Sequence, residues 1–238
     1  MSSASPHIVC YAPPQNSPVV GPLPYDTASH VTFGCFNNHV KINDEVLSVW
    51  AGILTAVPNS KLILKCADMS QTGLREQVAR TMSRFGIMED QLDLRSSSPP
   101  GELLETYNEV DIALDTFPYS GGLTTLEALW MGVPVITKTG GTFAGRHSTS
   151  HLSAVGLTDW IADDEETYIK IATDMACDRD ALKSLRASLR NKLLSSPICN
   201  HIEFTRTLER AFTMMRDDLA THGTNTTGHR MVDVSASD

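Results

Sequence analysis

The sequence predicts an α/β fold: a parallel sheet with helices on both faces, followed by a helical C-terminal part. Three observations carry this. Short strand-like runs alternate with helix-spaced segments from residue 31 to residue 137. Most of the helix-spaced segments stop at a glycine or just before a proline. Beyond Gly140 and Gly141 every patterned segment is helical.

The elements follow in order. Residues 1–30 are rich in Pro and Ser and read as an irregular lead-in. "VTFGCF" (31–36) alternates and holds β-branched and aromatic residues, as a strand does. In "NDEVLSVWAGILTAV" (43–57), Val46, Val49, Trp50, Ile53, Leu54 and Val57 recur at helical spacing, with Asn43 as N-cap and Pro58 just past the end. "KLILKC" (61–66) is a short apolar strand, and "LREQVARTMSRFG" (74–86) a helix closed by Gly86. "QLDLRS" is a weak strand, "GELLETYNE" a short helix and "VDIALD" (110–115) a strand. "TTLEALWMG" is a helix ending at Gly132, and "VPVIT" is the fifth strand. "FAGRHSTSHLSAVG", "DEETYIKIATDMAC", "RDALKSLRASLRNKLL" and "HIEFTRTLERAFTMMRDDLA" are helical. Residues 217–238 make a tail ending in the polar, unpatterned "THGTNTTGHRMVDVSASD", expected to be disordered.

Bulk properties narrow the function. The chain has 238 residues, 41% hydrophobic and 20% charged, as ordinary globular proteins are. Its formal charge of −9 argues against a general nucleic-acid binder, which needs a basic footprint. Five cysteines without close spacing fit reduced, mostly buried thiols in a cytoplasmic protein better than disulfides or a zinc site. No apolar run approaches the ~20 residues that cross a membrane, and the N-terminus lacks a signal-peptide pattern.

Residues 115–127, "DTFPYSGGLTTLE", lie where a strand gives way to a helix. In an open parallel sheet that edge is where ligands bind. Gly121 and Gly122 can take φ > 0 and admit a ligand close to the backbone. The following helix offers unpaired N–H groups that suit phosphate. Thr124 and Thr125 can cap that helix or bond phosphate oxygens. Glu127, placed in the first turn, can accept from a ribose diol. The alternative is a plain capping box with no ligand. There is no GxGxxG after the first strand and no Walker A lysine.

Five ordered blocks make the reading more specific. "VTFGCFNNHVKI", "VWAGILTAVPNSKLILK", "VDIALDTFPYSGGLTTLEALWMGVPVIT", "AGRHSTSHLSAVGL" and "LLSSPICN" together resemble the catalytic region of the O-linked N-acetylglucosamine transferase and SPINDLY family, its bacterial members above all. The resemblance spans residues 20 to 216. It implies the C-terminal, Rossmann-like lobe of a GT-B glycosyltransferase over 31–216, with residues 1–30 as a remnant of the N-terminal lobe. It implies an inverting, metal-independent transfer of N-acetylglucosamine from UDP-GlcNAc, or a related nucleotide-sugar, to Ser or Thr of a protein acceptor. No cofactor, metal, nucleic acid or membrane is implied. The alternative is a non-catalytic nucleotide-sugar-binding module, or a fragment that needs a separate N-terminal lobe.

The resemblance also assigns residues. Lys41 falls where the family's lysine meets the donor diphosphate and offsets charge on the departing group. Asn38 matches a position that reaches the phosphates, or is a turn residue. Gly121, Gly122, Thr124 and Thr125 match the phosphate loop, although animal enzymes carry His where Gly122 stands. Glu127 matches the residue that holds the ribose, and Ser97 and Ser98 the loop that reads the base. Leu103 stands where relatives usually have His, and Leu123 replaces a loop Thr; both remove polar contacts. Arg146 matches a family arginine, and a structural salt bridge is the competing reading. "DRD" at 178–180 reads as a metal-holding DxD or, better, as a helix N-cap. His147 and His151 have helical zinc spacing but no evident third ligand. Trp50 and Trp130 are expected in the core.

Overall fold

The structure, a computed structural model, describes residues 9–222. Six parallel strands form one sheet in the order β3-β2-β1-β4-β5-β6. They are β1 (Thr32–Cys35), β2 (Lys61–Lys65), β3 (Leu92–Arg95), β4 (Ile112–Leu114), β5 (Val135–Lys138) and β6 (Ile161–Ala162). The central strands β1 and β4 are buried along their whole length, so helices cover both faces there. They meet through Phe33↔Ile112 and Gly34↔Ala113. A Cβ on Gly34 would lie 2.7 and 2.9 Å from the two methyls of Val110, so only glycine admits this approach.

The helices are α1 (Tyr25–Ala28), α2 (Asp44–Ala56), α3 (Thr72–Arg84), α4 (Pro100–Thr106), α5 (Leu123–Trp130), α6 (His147–Val155), α7 (Glu165–Cys177), α8 (Arg179–Ser195) and α9 (His201–His222). Their ends follow the local chemistry. Asn43 Oδ1 accepts from the Val46 N–H at 2.8 Å, and Asp178 Oδ1 from Ala181 N–H at 3.0 Å. Asp178 is therefore the N-cap of α8, the reading preferred for "DRD". Gly86, Gly132 and Gly156 each take positive φ behind their helices. α2 packs against α3 and α7, and α5 against α6 and α8.

Five strands fall on the expected segments. The sixth, β6, was not expected. It has two residues between a 3-10 turn (Thr158–Trp160) and the Asp164 cap of α7, too few to show alternation. Its identity comes from pairing with β5, Thr137↔Ile161.

The lead-in is better ordered than its composition suggested. Gly21 N–H donates to Asn108 Oδ1 at 2.8 Å, Arg190 donates to the Pro18 carbonyl at 2.8 Å, and Trp130 Nε1 donates to Ser17 Oγ at 2.6 Å. Arg186, 2% exposed, ties the Gly21 carbonyl to those of Val110 and Tyr107. Residues 9–24 are thus an extended strap held on the α5–α8 side. At the other end α9 carries the chain through 217–222, six residues into the tail expected to lack structure; the remainder of that tail lies outside the described residues. Trp50 is wholly buried, as expected. The cysteines are not mostly buried: Cys35 alone is, Cys177 is exposed, and Cys10, Cys66 and Cys199 are half-buried.

Candidate functional site

The chain builds β1, β2 and β3 to one side and then returns to place β4, β5 and β6 on the other. The order therefore reverses between β1 and β4. At such a switch point the loops leaving the two strands diverge and open a crevice. The two loops here are 36–43, which carries Lys41, and 115–122, which carries the glycines.

Lys41 ends a 3-10 turn (His39–Lys41). Its ammonium crosses the crevice, donates to the Ser120 carbonyl at 2.8 Å and lies 3.8 Å over the Tyr119 ring. Desolvation by burial lowers its pKa, with Asp115 opposing the shift. One of its three protons is bound to that carbonyl, and no ion pair among the described residues includes it. Asn38 is exposed and caps the same turn, accepting from the Val40 N–H at 3.1 Å. The structure thus gives it the turn role.

Asp115 shapes the second loop. Its Oδ1 accepts from the Gly121 N–H at 2.6 Å and from Asn37 Nδ2 at 3.2 Å, and its Oδ2 from Thr137 Oγ1 at 2.7 Å. Burial raises its pKa and these bonds oppose the rise. Gly121 is a glycine because of crowding, not because of φ. A Cβ there would meet the Thr125 hydroxyl, Asp115 Oδ1 at 2.9 Å and Thr124 Oγ1 at 3.1 Å. Gly122 has φ −127°, so the expected positive φ is absent at both positions. Around Gly122 nothing is closer to a Cβ position than His147 Nδ1, at 3.9 Å, which leaves the start of α5 open.

Gly122 is itself the N-cap of α5 and supplies no side-chain bond. The capping-box alternative therefore fails. Thr124 Oγ1 donates to Asn37 Oδ1 at 2.7 Å, and Thr125 Oγ1 shares a 2.8 Å bond with Ser148 Oγ. Thr125 is 2% exposed, so what it can present to a ligand is its first-turn N–H.

Glu127 falls one turn later than expected, outside the first turn of α5. It is half-buried and makes no hydrogen bond or ion pair among the described residues. Burial alone pushes its carboxyl up to about 7. Tyr107 stands beside it and donates to the Thr124 carbonyl at 3.1 Å. Cys35, Asn37, Tyr107, Asp115, Thr124 and Thr125 line a small pocket beneath.

The other candidates share this edge of the sheet without joining the cluster. Ser97 and Ser98 follow β3; Ser97 is exposed, and the Ser98 hydroxyl is buried with no partner. Leu103 is half-buried in α4. Arg146 is exposed after β5 and donates to the Gly140 carbonyl at 3.0 Å, and no ion pair among the described residues includes it. His147 packs edge-on against Phe143 at 4.7 Å, at the mouth of α5. Among the described residues no three His, Cys, Asp or Glu side chains converge as a metal site. Sequence reasoning missed Asn37 and Asp115. Asp115 heads the 115–127 segment at the carboxyl end of its strand, a position that could have marked it.

Comparison with known proteins gives the family and the fold. The family model described as Glycosyl transferase family 41 matches residues 19–208. SPINDLY of Hordeum vulgare, described as a probable UDP-N-acetylglucosamine–peptide N-acetylglucosaminyltransferase, is 40% identical over 208 residues, covering 87% of this chain and 22% of that protein. The Arabidopsis thaliana SEC protein is 30% identical over 185 residues, 77% of this chain and 18% of its own length. A solved Thermobaculum terrenum O-GlcNAc transferase superposes with a TM-score of 0.80 at 39% identity, over 88% of this chain and 40% of that one. Anabaena HepE, solved with UDP and glucose, shares the fold at a TM-score of 0.55 and 12% identity, over 79% of this chain and 49% of its own. The chain spans about a fifth of the length of the curated relatives it matches.

Proposed function

The chain belongs to glycosyl transferase family 41, and on that premise we propose that it is the nucleotide-sugar-binding lobe of a protein O-GlcNAc transferase. The observation that carries this is the meeting of the Lys41 ammonium with the Gly121–Gly122 loop at the switch point of the sheet. A nucleoside diphosphate fits what converges there. The remaining ammonium protons and the open N-terminus of α5 suit the diphosphate. Glu127, a carboxyl group without a partner among the described residues, suits the ribose diol. In this reading Ser97 and Ser98, after β3, would meet the base, and Leu103 and Arg146 are further candidates for donor contact.

In the proposed reaction a Ser or Thr hydroxyl of a protein attacks the anomeric carbon of UDP-GlcNAc, with inversion, and UDP departs. Lys41 stabilises the charge gathering on the diphosphate without a metal. A cytoplasmic setting accompanies this reading. The acceptor side belongs to a second lobe. The matched bacterial structure is two and a half times as long as the matched part, in line with its 40% coverage. Exposed Phe212, Met215 and Leu219 on α9 give such a lobe an apolar surface to rest on.

Calorimetry tests the reading. UDP should bind the purified chain weakly in the presence of a chelator. Lys41→Ala should weaken UDP about ten-fold or more, the worth of a charge-assisted hydrogen bond, and leave uridine nearly unchanged. A magnesium requirement, or equal losses for both ligands, would overturn these roles.

A further inference from the structure

We propose that Cys10, His201 and Cys199 form a thiol–disulfide exchange site that fastens the N-terminal strap to the base of α9. It is independent of the glycosyl-transfer reading.

The Tyr11 N–H donates to the Ile198 carbonyl at 2.9 Å. Cys10 and Cys199 are the next residues on either side of that bond, 189 positions apart in sequence. A disulfide needs Cα atoms roughly 4.4–6.8 Å apart, and the Tyr11–Ile198 bond holds the two chain segments side by side at this point. Cys10 Sγ lies 3.0 Å from His201 Nδ1. When that nitrogen is the unprotonated one, the thiol donates to it. Burial first, and the neighbouring Cys10 second, push the Cys199 thiol up. The attacking role therefore falls to Cys10, which has the imidazole, and the resolving role to Cys199. The other cysteines lack this setting. Cys35 is buried with its thiol pushed up to about 12, and Cys177 is exposed on another helix.

The substrate class is a low-molecular-weight disulfide such as oxidised glutathione. Cys10 sulfur attacks one sulfur of that disulfide while its proton passes to His201. The S–S bond breaks, one glutathione leaves as thiolate, and the proton returns to it. Cys199 sulfur then attacks Cys10 in the mixed disulfide and releases the second glutathione. Two protein thiols are oxidised and one disulfide is reduced to two thiols.

The test uses the full 238-residue chain in glutathione redox buffers, followed by intact-mass and non-reducing peptide analysis. The expected result is an intramolecular Cys10–Cys199 bond, with a net loss of two hydrogens and a rise in thermal midpoint of roughly 5–10 °C. Cys10→Ser and Cys199→Ser should each abolish both changes. His201→Gln should slow bond formation several-fold and leave its final extent unaltered. Brief alkylation of the unmodified chain should label Cys10 several-fold faster than exposed Cys177. Three results would overturn the proposal: equal labelling of those two cysteines, a glutathione adduct on Cys10 that Cys199 never resolves, or an unchanged rate in His201→Gln.

Discussion

Replacing Glu127 by Gln should stabilise the protein and weaken its ligand binding together. The carboxyl is half-buried, has no partner among the described residues, and is raised from an ordinary 4.5 to about 7 by burial alone. At about 1.36 kcal/mol per unit, that shift corresponds to about 3 kcal/mol. Partial solvent access roughly halves it, to ~1.5 kcal/mol. The sign follows from linkage. Below pH 4.5 the side chain is protonated whether folded or unfolded, and ionisation costs nothing. Between pH 4.5 and 7 the unfolded chain gives up its proton while the folded protein keeps its own, and stability falls; above 7 both are ionised and the loss is complete. Glutamine never bears that cost. The variant should therefore match the parent near pH 4.5 and exceed it by ~1.5 kcal/mol above pH 8, read from urea unfolding curves across that range. Other carboxylates cancel in the comparison. A difference that does not change with pH, or a variant less stable at pH 8, would refute the reasoning. The same variant should lose uridine and UDP affinity by similar factors, because the ribose is common to both.

Three further outcomes are expected. Asp115→Ala strands the Gly121 N–H, the Asn37 amide and the Thr137 hydroxyl. At ~1–3 kcal/mol per unpaired group, it should lower the urea midpoint strongly. Asp115→Asn should cost far less, since the Thr137 hydroxyl can turn to accept. Gly121→Ala should destabilise by ~1–3 kcal/mol through overpacking, whereas Gly122→Ala, with open space around its Cβ, should be near neutral in the same assay. The purified chain should transfer little sugar to an acceptor peptide, because the positioning that a second lobe supplies is worth ~7–11 kcal/mol; radiolabel transfer measures it, and brisk turnover would contradict the lobe reading.

Alternation of short strands with long helices was enough to place five strands and every long helix. Both come from periodicities that several residues report at once. β6 has two residues and reports none; pairing with β5 makes it a strand. The glycine loop stood out as a local pattern, glycines between a strand and a helix, whereas Lys41 was singled out only by the family resemblance. Which hydroxyls face a ligand was not legible. Thr124 and Thr125 look like phosphate donors in sequence, yet they are taken by Asn37 and Ser148, 87 and 23 positions away. Asp115 was overlooked for the same reason, since its partners Asn37 and Thr137 come from two other strand ends. The positive φ expected of the glycines failed because crowding, which depends on what folds against a residue, can demand glycine as firmly as backbone torsion does.

The two halves of the crevice are written on opposite sides of a seam. The strands before residue 100 are β1, β2 and β3, with Lys41 beside them; the strands after it are β4, β5 and β6, with the glycine loop. Across the seam the strands touch at only two registered pairs, Phe33↔Ile112 and Gly34↔Ala113. Neither half contains a working crevice, and a chain nicked in the loop near residue 99 would have to reassociate through those pairs, the α2–α7 packing and the N-terminal strap to regain one. Diphosphate binding would then serve as a readout of fragment complementation, reporting the moment when the two halves of the domain have found each other.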